Sequence, residues 1–199
     1  MERRKFLKSS AIAVAGTGLI AAGCDSPKTT SKNAKFPAKK RADIKSEDFR
    51  KTAIKHFLPG KKNCCEAMLI TGTNEIGVSD CTLEASALSL GGGVGLQGKT
   101  CGILTGSAMA ISVAATQRHQ KNRKKRAKLA NQQTAKLIKA FENKYRTTDC
   151  KKLCGLDLTK PAERKKLKGK TGVKATVCAP MVEFTSRQLA TALNEIKNS

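Results

Sequence analysis

Apolar residues recur at helical spacing along most of this chain. Phe49, Ala53, Ile54 and Phe57 share one face behind Ser46-Glu47-Asp48, which predicts a helix from Ser46 to about Leu58, ended by Pro59-Gly60. From Asn63, the run Cys64 to Ile70 again has helical spacing and extends to Gly77. A third helix is expected from Thr82 through Leu83, Ala87 and Leu88 to Leu90, stopped by the glycines between Gly91 and Gly98. Thr100 is the expected N-cap of an apolar helix from Cys101 to Thr116. In that helix Gly102 and Gly106 stand four apart and admit a second backbone. It reads as a buried central helix.

Beyond it, a basic stretch from Arg118 to Lys128 runs into a long amphipathic helix carrying Leu129, Leu137, Ile138 and Phe141. Asp149 caps a short turn holding Cys150 and Cys154. Lys160 to Lys174 is polar and lysine-rich, expected as a loop with one helical turn. The last helix is expected from about Thr176 to Ile196, with Cys178 near its start. No stretch alternates with period two. The predicted class is all-α: a compact helical domain over residues 46–199, with a Gly-rich loop leading into the buried central helix.

The first 45 residues read as address and tether. Arg3-Arg4-Lys5-Phe6-Leu7-Lys8 matches a twin-arginine export signal. The uncharged run Ser9 to Gly23 is shorter than the roughly 20 apolar residues of a membrane-spanning helix. Small residues Ala21-Ala22-Gly23 before Cys24 resemble a lipobox, which makes 1–23 a cleaved signal peptide and Cys24 the lipidated residue. Asp25 resembles a signal for retention at the inner membrane. The expected location is the periplasmic face of that membrane, lipid-anchored through Cys24, with 24–45 as a flexible tether.

Charge and composition narrow the partners. The formal net charge is +24, with no Trp, one Tyr and six Phe. Nucleic acid is set aside, because stacking aromatics are scarce and the destination lies outside the cytoplasm. Anionic head groups, an acidic redox partner or a membrane transporter remain as expected partners, beside a plain solvated surface. With few aromatics, the core falls to Ala, Leu, Ile, Val and Cys.

Cysteine carries the chemistry. Of eight cysteines, Cys24 goes to lipid, leaving Cys64, Cys65, Cys81, Cys101, Cys150, Cys154 and Cys178. An odd set of seven cannot pair completely within a monomer. Cys101 is expected at a helix start with Lys99 nearby, where free amides and the macrodipole favour a thiolate. Cys150 and Cys154, at i and i+4, are candidates for a soft metal ion. No C-x-x-C is present, so the thioredoxin-type motif is absent. His56 and His119 are the only histidines; neither follows a C-x-x-C, which excludes covalent c-type haem. Gly93 to Thr100 also satisfies G-x-x-x-x-G-K-[ST], the phosphate-cradling loop of nucleotide-binding proteins, but no buried strand precedes it.

The same glycines have a second reading. Gly91-Gly92-Gly93-Val94-Gly95 and Gly98, followed by Cys101-Gly102-Ile103-Leu104-Thr105-Gly106, resemble the signature of the C_GCAxxG_C_C family of redox-active proteins. Asn63-Cys64-Cys65-Glu66-Ala67 matches its first cysteine, Cys150 its third and Cys178 its fourth, while Ile103 departs from its alanine. The resemblance implies a redox site made of Cys64, Cys101, Cys150 and Cys178, with Cys101 and Cys64 as the redox candidates. Two chemistries fit those four: ligands of an iron–sulfur cluster in electron transfer, or redox-active disulfides in exchange with a partner. A metal-binding accessory role for a membrane transporter is the non-enzymatic alternative. Cys65, Cys81 and Cys154 match no family position.

Overall fold

The computed structural model describes residues 42–58 and 62–199. The expected export signal with Arg3 and Arg4, the lipidation site Cys24, all but the last residues of the tether, and the Pro59-Gly60 stop lie outside them. The described residues are all-α, as the periodicity predicts.

Five longer helices form the body: α1 Ser46–Phe57, α2 Cys64–Glu75, α4 Gly102–Arg118, α5 Arg123–Tyr145 and α8 Ala179–Asn198. Three single-turn helices, α3 Cys81–Ala85, α6 Cys150–Cys154 and α7 Pro161–Lys165, decorate the connections. Helix α4 is the hub and packs against α2, α5 and α8, while α1 lies across α2 and α8. Its Ile103, Leu104, Ala110, Ile111 and Ala114 are essentially inaccessible, meeting Met68 and Leu69 of α2 and Leu189 and Leu193 of α8 in one core. Small residues set how closely these helices approach. A Cβ on Gly106 would lie 2.2 Å from the Cys65 carbonyl oxygen, and one on Gly72 would lie 2.5 Å from Ala110 Cβ. Backbone therefore rests almost on backbone at the α2–α4 crossing.

Three local expectations change. The third helix is broken: Asp80 caps α3 through Leu83 N at 2.8 Å, and a separate 3-10 turn spans Leu88–Leu90. Ser86 Oγ donates to the Leu83 carbonyl at 2.6 Å, a local bond that competes with helix continuation. Thr100 does not cap α4; the N-cap is Cys101, without a side-chain cap, and Thr100 instead forms an antiparallel bridge with Asp149. The last helix begins with a π turn, Lys174–Cys178, because Pro180 has no N–H to continue the usual ladder. Among the described residues no helix is long and apolar enough to cross a membrane.

Candidate functional site

Local capping places each sulfur. Asn63 Oδ1 accepts from Cys65 N at 2.8 Å and Glu66 N at 3.0 Å, and Glu66 Oε2 accepts from Asn63 N at 2.8 Å. This capping box fixes Cys64 as the first residue of α2, at the positive end of the helix. Asn63 Nδ2 also donates to the Leu88 carbonyl at 3.1 Å, tying that helix end to the turn before the glycine loop.

The glycine loop is a left-handed turn. Gly92, Gly93, Val94, Gly95 and Leu96 have φ of 64°, 75°, 58°, 60° and 63° in succession. Glycine is required at 93, where a Cβ would meet Lys99 N at 2.4 Å. Val94 and Leu96 hold the same conformation at a strain of about 1 kcal/mol or more each. The loop spends its amides on itself: Gly95 donates to Ser89 O at 2.6 Å, Gly98 to Gly92 O at 3.1 Å and Lys99 to Gly93 O at 3.0 Å. A phosphate cradle needs those amides free and a strand before them, so the nucleotide-loop reading of Gly93 to Thr100 fails. The Gly92 amide instead favours the ionised form of the Cys64 sulfur.

Beyond the loop, short backbone pairing brings in the third cysteine. Cys101 N donates to Thr148 O at 2.8 Å, Cys150 N to Lys99 O at 2.7 Å and Lys151 N to Gly98 O at 3.0 Å. Cys101 and Cys150 thus flank the Thr100–Asp149 bridge. Asp149 caps α6 through Lys152 N at 2.9 Å, and the π turn carries Cys178 to the same region.

These elements bring the four family cysteines to one cavity of about 420 Å³, whose walls are otherwise largely apolar. Cys154 joins them; its alignment with Cys150 on α6 was the sequence signal for it, and its thiol donates to the Leu156 carbonyl at 3.7 Å. All five thiols, with Cys65 and Cys81, are unpaired. Cys65 points elsewhere, accepting from Thr105 Oγ1 at 3.5 Å and lying 4.0 Å from Met109 Sδ. Cys81 begins α3, outside the cavity wall. His56 is engaged with Thr71 Oγ1 at 3.1 Å, and His119 lines a separate polar surface hollow. Among the described residues, no group of three or more His, Cys, Asp or Glu is disposed to hold a metal ion.

Electrostatics reverse the expected order of the thiols. Cys101 lines the cavity with Cys64 and Cys150, and its thiol interacts with both. That double engagement, then burial, holds its own pKa well above the ordinary 9.0. Cys64 is lowered furthest, to about 6: the neighbouring Cys101 thiol, together with the amides of Gly92, Cys64 and Cys65, outweighs the burial that opposes ionisation. The Cys101 thiol lowers Cys150 as well. Burial pushes Cys178 up to about 12 and Cys65 to about 11. Expecting the thiolate on Cys101 counted only its own helix dipole and Lys99; a neighbouring sulfur that accepts its proton decides the matter. Lys174 sits above the Phe57 ring, 4.4 Å from its centroid, and donates to Lys62 O at 2.9 Å. Its charge favours the ionised forms of Cys64 and Cys178.

Residues 62–192, more than half of the chain, match the family model described as "Putative redox-active protein (C_GCAxxG_C_C)". No curated protein and no solved structure matches.

Proposed function

We propose, since the chain belongs to the C_GCAxxG_C_C family of redox-active proteins, that it performs thiol–disulfide exchange at the Cys64–Cys101–Cys150 cluster. One observation carries the reading: Cys64, Cys101 and Cys150 line the wall of one cavity, where the Cys101 thiol interacts with both of the other sulfurs. The Cys64 thiolate attacks a substrate disulfide, forming a mixed disulfide and releasing one substrate thiolate. Cys101 then loses its proton to Cys150 and attacks the Cys64 sulfur. The Cys64–Cys101 disulfide forms, the second substrate thiolate leaves, and two electrons have passed from protein to substrate. A reductant disulfide-exchanges in the opposite sense to reset the site.

Reaction of the reduced full chain with a small disulfide, followed by mass mapping, tests this. The expected product is a Cys64–Cys101 bond, with Cys64→Ser inert and Cys101→Ser trapped as the mixed disulfide at Cys64. Equal reaction of Cys64→Ser would overturn it.

A second reading is favoured by Cys178, which lines the same cavity with only long-range interaction to the other sulfurs. Cys64, Cys101, Cys150 and Cys178 would then hold an iron–sulfur cluster serving electron transfer. The donor set fits in kind, and the amides directed at Cys64 would tune such a cluster. The feature against it is that, among the described residues, no group of three or more His, Cys, Asp or Glu is disposed to hold a metal ion. Iron and acid-labile sulfide after anaerobic purification would establish this reading in place of the first. A soft ion held by Cys150 and Cys154, in an accessory role to a transporter, would appear as stoichiometric metal lost in Cys154→Ser. The location proposed with either reading is the exported face of the inner membrane, anchored at Cys24. Labelling by fatty acid in cells, lost in Cys24→Ala, tests the anchor.

A further inference from the structure

The cysteine cavity opens beside a second hollow of about 950 Å³, and the two share Leu167 and Lys174 in their walls. The second hollow is cationic: Arg164, Lys165, Lys168, Lys170 and Lys174 line it, and among the described residues no carboxylate does. The nearest acid in sequence, Glu163, is taken by Lys166 at 2.6 Å. Among the described residues, Lys165, Lys168 and Lys170 have no ion-pair partner, whereas Lys136, Lys151 and Lys197 are three lysines paired with carboxylates.

The hollow is built rather than a chance clustering of surface lysines. Arg164 Nη1 donates to Leu158 O at 2.9 Å and to Thr159 O at 3.2 Å, which aims the guanidinium. The loop bearing the lysines is closed at its base, with Val173 N donating to Lys166 O at 3.0 Å and Lys174 N to Leu167 O at 3.3 Å. Its return is so tight that a Cβ on Gly172 would lie 2.2 Å from the Lys168 carbonyl oxygen. Lys174 then stands at the threshold, reaching the hollow while its charge is felt by the Cys64 and Cys178 sulfurs.

We infer that this hollow is a binding site for the acidic part of the redox substrate, a small organic disulfide or thiol bearing two or more carboxylate or phosphate groups. The apolar cysteine cavity takes the sulfur end and the lysine hollow takes the anionic end. Unpaired cations around a concave surface concentrate such a dianion and hold it by charge-assisted hydrogen bonds. The assignment of the substrate's sulfur end rests on the exchange chemistry proposed above; the anion site itself does not.

The test uses the full-length reduced protein and two disulfide probes of opposite character, dianionic dithiobis(nitrobenzoate) and neutral dithiodipyridine. In the triple variant Lys165→Gln/Lys168→Gln/Lys170→Gln, reaction with the dianion is expected to slow by about ten-fold or more. Reaction with the neutral probe stays within two-fold of wild type. Added salt should slow the wild-type reaction with the dianion more than that of the variant, and leave the neutral probe unaffected, as expected for screened attraction. Equal slowing of both probes, or no slowing of either, overturns the inference. Calorimetric binding of pyrophosphate, which cannot exchange sulfur, separates the two proposals. Binding retained in Cys64→Ser and lost in the triple variant supports the anion site even where exchange itself fails. Binding unchanged in the triple variant overturns it.

Discussion

Removing the Cys101 thiol is the most informative perturbation of the site. With its pKa at about 6 against an ordinary 9.0, Cys64 is about 90% ionised at pH 7, where an unperturbed thiol would be about 1% ionised. The gain in thiolate is therefore about 90-fold. A less basic thiolate is also a weaker nucleophile: a Brønsted slope of about 0.4–0.5 over three pH units costs about 15- to 30-fold. The net advantage at pH 7 is only about 3- to 6-fold. Cys101→Ala deletes the largest influence holding the pKa down while the three amides remain. The alkylation midpoint of Cys64, followed by mass spectrometry with iodoacetamide from pH 5 to 10, should rise by about one unit or more. Its high-pH plateau rate should increase about three-fold per unit of rise, because the sulfur is more basic, while for a one-unit rise the rate at pH 7 stays within about two-fold of wild type. Cys101→Ser keeps a donor and should hold the midpoint nearer the wild-type value. A midpoint that stays near 6 in Cys101→Ala, or a wild-type midpoint near 9, refutes the reasoning. A lowered plateau would indicate structural damage instead.

Other consequences concern packing, capping and pH. Gly106→Ala drives a methyl into the Cys65 carbonyl at the α2–α4 crossing and should cost about 1–3 kcal/mol in urea unfolding; an unchanged midpoint would contradict the crossing. Asn63→Ala removes both N-cap bonds of α2, at a cost of about 1 kcal/mol, and should also raise the Cys64 alkylation midpoint as the amides lose alignment. Cys65 and Cys178 stay protonated in the fold up to about 11 and 12, whereas the unfolded thiols ionise near 9. Above pH 9 the unfolded state binds fewer protons, so under reducing conditions stability should fall as pH rises toward 11. Cys64 acts oppositely: its depressed value adds stability that is full above 9 and lost as pH falls through about 6. A urea midpoint that is flat from pH 9 to 11 would exclude this burial of neutral thiols.

The fold was legible wherever apolar periodicity ran uninterrupted. The faces of α1 and α4 follow from Phe49, Ala53, Phe57 and the Gly102–Gly106 spacing. Reading failed where local hydrogen bonds outbid periodicity, as at Ser86, which closes α3, and where proline reshaped a helix start, as at Pro180. Four of the five cysteines that line the cavity stand at family positions and Cys154 does not; the charge order of the thiols was not legible at all. A thiol pKa depends on which sulfur donates to which, and that follows from tertiary contacts between α2, the α4 N-terminus and α6. The left-handed run at Val94 and Leu96 was equally hidden, since neither residue favours that conformation and only the closed loop imposes it. The lysine-rich segment from Lys160 to Lys174 looked like a solvated loop, because its charge pattern says nothing of the hollow its closed base creates.

The central claim is that Cys64 and Cys101 form one two-electron couple within a shared cavity. A redox titration of the full-length chain in thiol–disulfide buffers, quenched by acid and mapped by mass spectrometry, tests it most directly. The account predicts that the Cys64–Cys101 bond is the first to form, in a single two-electron step, with Cys65 and Cys81 still reduced at its midpoint. A first disulfide that excludes Cys64, or the absence of any bond between Cys64 and Cys101 across the titration, would contradict it.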